Sequence, residues 1–365
     1  MPVRAALEGV APVLERGSRP PPGSAPGLLQ STPGATAPRV TVFAYGPHEI
    51  TEFEAENIPA VARLRGHYPV IWVNVDGVGH AETVEAVGNA FGLHRLALEN
   101  VMHVAQRPKV EEYEGHLFAV VKMARRAPGL DLEQVSMFVG TDYVITFQEH
   151  PGDVFDIVRQ RLRAGHARFR GAGPDYLAYS VLDAIIDNYF PVVEEYVDEL
   201  EAIENEIMER PNHACVRKLH DVKRELMALR RSVWPLRDAL SLLVRDPGQL
   251  VHEDTVIYLR DLQDHAFQIL DLVENFREVA ASLTDLYIST VGNRTNEIMK
   301  VLTIFAAIFI PLGFITGLYG MNLSHPQRAP EPWYWTWPFA TSVMGLVALS
   351  LLLFFYRRGW IGSRG

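Results

Sequence analysis

The chain has 365 residues, and 34 Lys and Arg against 44 Asp and Glu give a formal charge of −10. That acidic balance excludes general nucleic-acid binding, which needs a dense basic face, and 48% hydrophobic against 21% charged residues excludes a disordered or fibrous chain. A single cysteine, Cys215, excludes an internal disulfide framework and a Cys-rich zinc site.

At about 150 residues per domain the length corresponds to two or three structural units. Residues 1–38 lack the uninterrupted apolar core of a signal peptide, and their Pro, Gly, Ser and Ala content predicts a flexible tail. Residues 39–170 read as an α/β domain. β-Branched and aromatic runs at Val40–Tyr45, Val70–Val75, His116–Met123, Gln134–Gly140 and Tyr143–Gln148 predict strands, and Glu82–Phe91 and Val154–Ala164 have helical period. A mixed sheet follows. Asp76-Gly77-Val78-Gly79 after a strand lacks the third glycine of a dinucleotide fingerprint and reads as a tight turn.

Residues 171–250 turn helical. Asp175–Glu209 is one pattern broken at Pro191, and Ala214–Val244 is a second, reversed at Pro211, kinked at Pro235 and ended by Asp246-Pro247-Gly248. The basic residues Arg217, Lys218, Lys223, Arg224, Arg230 and Arg231 alternate with apolar ones at helical spacing and read as a solvated face, not a phosphate site. From Glu253 a third pattern runs without proline to Pro311. Residues 253–318 as one helix would extend roughly 100 Å, a stalk (residues 251–300) entering a bilayer.

The C-terminal quarter is nearly free of charge: 43 of the 44 acids precede residue 320. Val301–Gln327 and Pro332–Tyr356 carry no charged residue, and each exceeds the roughly 20 residues that cross a membrane. The reading is a first span with its mouth at 301–322, an external loop at 323–338, a second span at 339–356 and a basic tail at 357–365. Trp333, Tyr334, Trp335 and Trp337 form an interfacial belt, and Arg294, Lys300, Arg357, Arg358 and Arg364 at the other end place both termini in the cytoplasm. The expected fold class is an α+β membrane protein with a cytoplasmic α/β domain, a long helical stalk and two C-terminal transmembrane helices per subunit. Two spans cannot enclose a polar path, so transport would require oligomerisation about an axis. A seam of Gly292, Asn296, Met299, Thr303, Ala306, Ile310, Gly313, Gly317 and Gly320 suits close packing and pore lining equally. The other face, with Ile304, Phe305, Ile308, Phe309, Phe314, Ile315 and Leu318, suits lipid.

Tyr319-Gly320-Met321-Asn322 at the end of the first span resembles the YGMN motif of the CorA family of magnesium channels, within the two-span Gly-x-Asn transporters. Thr295–Thr303 followed by Pro311, Tyr258–Val273 and Gln106-Arg107-Pro108-Lys109 resemble further family segments, so the likeness runs from about residue 40 to the C-terminus.

The resemblance implies a homopentamer in a cell inner membrane, with a funnel-shaped cytoplasmic domain and pore-lining first spans. Gly320, Met321 and Asn322 would form the selectivity mouth. Asn296, Met299, Leu302, Ala306, Ile310, Gly313 and Gly317 would line the pore, and Asp285 would ring its cytoplasmic exit. Neutral oxygens at the mouth suit hydrated Mg²⁺, which sheds water reluctantly. Asp261 would hold regulatory Mg²⁺ with Glu99, Asn100 and Asp183, the first two from a neighbouring subunit. Asn100 stands where the family carries an acid, which lowers the charge of each site by one. Glu331 is the one carboxylate left in the outer loop, where Ser324 replaces a frequent acid.

The expected function is influx of Mg²⁺, with Co²⁺ as a further cargo, driven by membrane potential and gated by intracellular Mg²⁺, with Mg²⁺ both cargo and regulator and no organic cofactor. Partners are other copies of the chain, lipid and divalent cations, with no nucleic acid. Competing readings are a Co²⁺, Ni²⁺ or Zn²⁺ transporter of the same fold, proton coupling, and a membrane-anchored metal sensor that conducts nothing. Enzyme activity is not expected, since there is no nucleophile–base set, His-Glu-x-x-His or P-loop.

Overall fold

A computed structural model of the protein describes residues 25–32, 35, 37–126, 129–320 and 337–361. The chain divides into two compact units, Met1–Glu204 with Arg217–Ser282, and Asn205–Val216 with Leu283–Gly365.

The first unit is built on a seven-stranded sheet. Its elements run β1 (Arg39–Tyr45), β2 (Ile50–Glu54), α1 (Ile58–Ala62), β3 (Val70–Asp76), α2 (Ala81–Phe91), α3 (Arg95–Met102), β4 (Lys109–Tyr113), β5 (His116–Arg126), β6 (Leu130–Val139) and β7 (Tyr143–Gln148). The helices α4 (Asp156–Arg163), α5 (Ala167–Gly171), α6 (Pro174–Asp187), α7 (Tyr189–Glu209), α8 (His213–Arg245), α9 (Glu253–Gly320) and α10 (Trp337–Arg357) follow. The sheet order is β2-β1-β3-β7-β6-β5-β4, antiparallel throughout except for the parallel β3–β7 pair. This is the mixed sheet expected from the sequence. Its central strands read as unbroken apolar runs because both faces are covered. On one face Val42, Val73 and Ile145 meet Val84, Val87 and Leu98 of α2 and α3. On the other, α6 lies against β5, β6 and β7, and Trp72 stacks between Phe43 and Phe155.

A polar row crosses that second face. The Trp72 indole N–H donates to Thr146 Oγ1 at 3.0 Å, and the Thr146 hydroxyl and Gln148 Nε2 both donate to Asn74 Oδ1. All four are fully buried, so each polar group needs the partner that the parallel register supplies.

Two expectations are corrected. The break in the Asp175–Glu209 pattern falls at Asn188, not Pro191. Pro191 lies in the first turn of α7, where a missing N–H costs nothing, and the Asn188 side-chain amide instead donates to the Ala124 carbonyl. The tail expected to be flexible to residue 38 is tied down in part: the Gly27 N–H donates to Glu99 Oε2 at 2.7 Å and the Thr32 N–H to the Gly79 carbonyl at 2.8 Å. Ser31 Oγ accepts the Ala81 N–H, capping α2. This segment therefore occupies the strand-to-helix turn whose glycines invited a nucleotide reading; Gly77 adopts φ +99° there, as a tight turn requires. The helix α8 continues through Pro235.

Asp175, in the first turn of α6, ties that helix to the start of α9. Its Oδ2 accepts the His252 backbone N–H at 2.9 Å and lies 3.0 Å from His252 Nδ1. Burial pushes this carboxyl up, but hydrogen bonds from Thr255 and His252 outweigh it and hold it below its ordinary value. A carboxyl depressed in the folded state contributes stability above its unfolded pKa of about 4, and that contribution is lost as pH falls through the depressed value. Asp175→Ala is expected to cost about 2–3 kcal/mol at neutral pH and to flatten the acid limb of the stability profile. Melting followed by circular dichroism from pH 7 downward checks both.

Candidate metal centre and ion path

Asp183 and Asp187 stand four residues apart on α6 and so share one face of the helix. His265, on the facing part of α9, completes a group whose ligand atoms all lie within 4.8 Å of one another. His265 Nδ1 is 3.4 Å from Asp187 Oδ1, and Asp183 Oδ2 is 3.9 Å from Arg161. Burial pushes the Asp183 carboxyl up, and the Asp187 charge adds to that, against weaker help from Arg161. The Tyr179 hydroxyl is raised above its ordinary range by burial and by the field of Asp183 and, more weakly, Asp261. Tyr176, Tyr179 and Tyr258 form a ring cluster beside the acids, joining α6 to α9 with centroids 5.2–5.5 Å apart.

Two carboxylates and an imidazole at this spacing suit a divalent cation. Mg²⁺ is commonly held through one or two carboxylates and its own waters, while the imidazole nitrogen adds a donor suited to Co²⁺, Ni²⁺ or Zn²⁺. A cation there would also offset the Asp187 repulsion that adds to the effect of burial on Asp183.

Of the four residues expected to hold regulatory metal, Asp183 lies in this group, and Asp261 is exposed one turn before His265 on α9. Glu99 and Asn100 are elsewhere in the protomer. They belong to α3, which covers the opposite sheet face; Glu99 receives the Gly27 N–H and the Asn100 carbonyl accepts from Gln134 Nε2. The sequence reading missed Asp187 and His265. The signal was present as two four-residue spacings, Asp183 to Asp187 and Asp261 to His265, each placing two donors on one helix face.

The second unit holds α10 and the part of α9 from Leu283 onward. α9 runs unbroken over 68 residues to Gly320, and α10 covers 21 residues; each contains a window long and apolar enough to span a bilayer. Thr303 and Thr316 return their hydroxyls to the carbonyls of Met299 and Leu312, so neither adds an unsatisfied polar group to the apolar stretch. Of the residues expected to line the pore, Asp285, Asn296, Met299, Leu302, Ile310, Gly313 and Gly317 are all exposed in the protomer and Ala306 is half-buried. A Cβ built on Gly313, Gly317 or Gly320 would meet no atom within 4 Å. Phe305, Phe309, Phe314 and Leu318 are exposed, and Ile304, Ile308 and Ile315 are half-buried. Lys300 Nζ reaches the Gly359 carbonyl at 3.5 Å, joining the base of the apolar stretch of α9 to the segment after α10. Met321, Asn322 and Glu331 lie outside the described residues.

A family model described as CorA-like Mg²⁺ transporter protein matches residues 69–358. The chain is 42% identical over 326 residues to the cobalt/magnesium transport protein CorA of Thermotoga maritima, covering 88% of this chain and 92% of that protein. It is 32% identical over 293 residues to the putative metal ion transporter YfjQ of Bacillus subtilis, covering 80% and 90%. The CorA magnesium transporter structure from Methanocaldococcus jannaschii superposes with a TM-score of 0.72 at 23% identity, over 88% of this chain and 98% of that one, a likeness of fold. These proteins are matched along nearly their whole length. The chain belongs to the CorA-like Mg²⁺ transporter family.

Proposed function

We propose that the protein is a homopentameric channel of the inner membrane that admits Mg²⁺, and Co²⁺ as a second cargo, driven by the membrane potential and closed by intracellular Mg²⁺. The observation that carries this reading is the stretch of α9 from Val301 to Gly320, which has no charge and whose glycine seam meets no neighbour in the protomer. Five such seams facing one axis would make a narrow path, with Met299, Leu302 and Ile310 as apolar constrictions and Gly320, Met321 and Asn322 as a neutral mouth. Asp285 below and Glu331 outside would concentrate cations by charge alone. An inside-negative potential supplies about 2.3 kcal/mol per charge per 100 mV, enough to draw a divalent ion inward without nucleotide hydrolysis. Both termini would then lie in the cytoplasm, with lipid around the outer faces of the helices.

Closure would follow from metal held by Asp183 and Asp261 together with Glu99 and Asn100 of a neighbouring copy, since within one protomer α3 and α6 cover opposite faces of the sheet. Loss of that metal would leave the acids repelling, and the subunits would part. Asn100→Asp restores one carboxylate and is expected to shift closure roughly tenfold lower in Mg²⁺, equivalent to about 1.4 kcal/mol of added affinity. A Mg²⁺ titration of current measures it, and an unchanged midpoint would remove Asn100 from the site.

The test of the main reading is Mg²⁺ entry into proteoliposomes under an inside-negative potential, with Asn322→Ala alongside and Co²⁺ and Zn²⁺ as competitors. Entry lost in the variant supports conduction through the proposed mouth. If the unaltered protein passes no ion with the regulatory side metal-free, the channel reading fails and an anchored metal sensor takes its place.

A further inference from the structure

A cavity of about 800 Å³ opens between the segment before β4, the β5–β6 hairpin and the middle of α8, all within the first unit. That volume lies in the range of roughly 300–1,000 Å³ in which small-molecule sites fall. Its apolar wall includes Val104, Leu130, Leu132 and Trp234.

The charge around it is unusual for a chain of net charge −10: five basic side chains line it against two acidic ones. The two acids are engaged elsewhere. Glu149 accepts the Gln134 N–H at 2.6 Å, and Glu225 accepts the Tyr196 hydroxyl at 2.8 Å. Among the bases, Lys122 donates to the Val104 carbonyl, Arg230 pairs with Glu274 and Arg224 with Asp221. Arg107 and Arg231 have no ion-pair or hydrogen-bond partner among the described residues. Two unpaired guanidinium groups at one concave, largely apolar site present forks that match phosphate oxygens. Beside them, Arg237 and Arg230 lie over the Trp234 ring at 4.4 and 5.4 Å, a guanidinium–indole layer on which a planar base can stack.

From this combination we infer that the cavity binds a nucleoside polyphosphate, with its phosphates on Arg107 and Arg231 and its base against the wall around Trp234. Part of the basic stretch that reads as a solvated helix face in sequence, Arg224 and Arg231, therefore turns toward a site completed by Arg107, more than a hundred positions away in the chain. The inference is independent of ion conduction, and its test reads binding alone.

The experiment is equilibrium dialysis of labelled ATP against the full-length protein in detergent, with chelator and again with Mg²⁺. Saturable binding of one ATP per subunit is expected, weakened at least about tenfold in Arg107→Ala/Arg231→Ala. Arg107→Lys/Arg231→Lys keeps the charge without the fork and should fall between the two. Pyrophosphate and adenosine should each compete less well than ATP, since each meets only half of the site. Absence of saturable binding, or equal binding by the double Ala variant, overturns the inference. Pyrophosphate competing as well as ATP would overturn the nucleoside part and leave a bare anion site.

Discussion

Ile310→Asn is expected to raise Mg²⁺ entry under closing conditions, at high Mg²⁺ on the regulatory side, by roughly tenfold, which corresponds to about 1.4 kcal/mol taken from the barrier. The residue sits on the same seam as Gly313 and Gly317 and is 69% exposed in the protomer, so nothing within the subunit claims it. If five copies face one axis, an isoleucine ring there keeps the path dry, and an amide wets it. Phe309→Asn is the matched control. Phe309 is also exposed, but it falls on the aromatic face with Phe305, where the two rings stack 6.2 Å apart. An amide at Phe309 should lower the yield of assembled protein without opening a leak. A leak of equal size in both variants, or in neither, would place Ile310 away from the path.

Trp72→Ala is expected to remove about 3–5 kcal/mol, a large part of the stability of an ordinary domain. Trp72 has no exposed surface, stacks on Phe43 at 5.2 Å and meets Phe155 edge-on at 6.1 Å. Truncation leaves a void between β3 and α4 and strips the Thr146 hydroxyl of its donor in a row that has no access to water. Trp72→Phe keeps most of the volume and loses the indole N–H, so its cost should be nearer about 1–2 kcal/mol. Urea unfolding of the full-length protein, followed by circular dichroism, separates the two. Equal costs would mean that the hydrogen bond, and not the packing, holds this position.

What was legible in the sequence divides along physical lines. β1, β3, β5, β6 and β7 were recognisable because strands covered on both faces need continuous β-branched and aromatic residues. β2 and β4 were not. They are the two edges of the sheet, and ITEFE and KVEEY carry the charges that keep an edge from recruiting another strand, so they read as loop. The apolar helices were plain from length and absence of charge. The N-terminal segment was misread because its anchoring is by the backbone N–H groups of Gly27 and Thr32, which composition does not register. At the metal centre, Asp183 came from family likeness alone. Asp187 and His265 are each a single polar residue on an amphipathic helix, and only the pairing of α6 with α9 gives them a common purpose.

The one parallel pairing in the sheet has a consequence for how the chain is made. β4 to β7 are joined by local antiparallel pairings and can close within microseconds, but β3 meets β7 between residues about 72 apart, such as Ile71 and Tyr143. On a ribosome, β1, β2 and β3 therefore emerge first and wait, with one side of Val-Ile-Trp-Val-Asn-Val unpaired until residue 148 follows. That waiting edge is long, apolar and free of charge up to Asp76, the kind that adheres to a neighbouring nascent chain. Slow translation before β7 should therefore favour aggregation, and a holdase bound to the N-terminal third should relieve it.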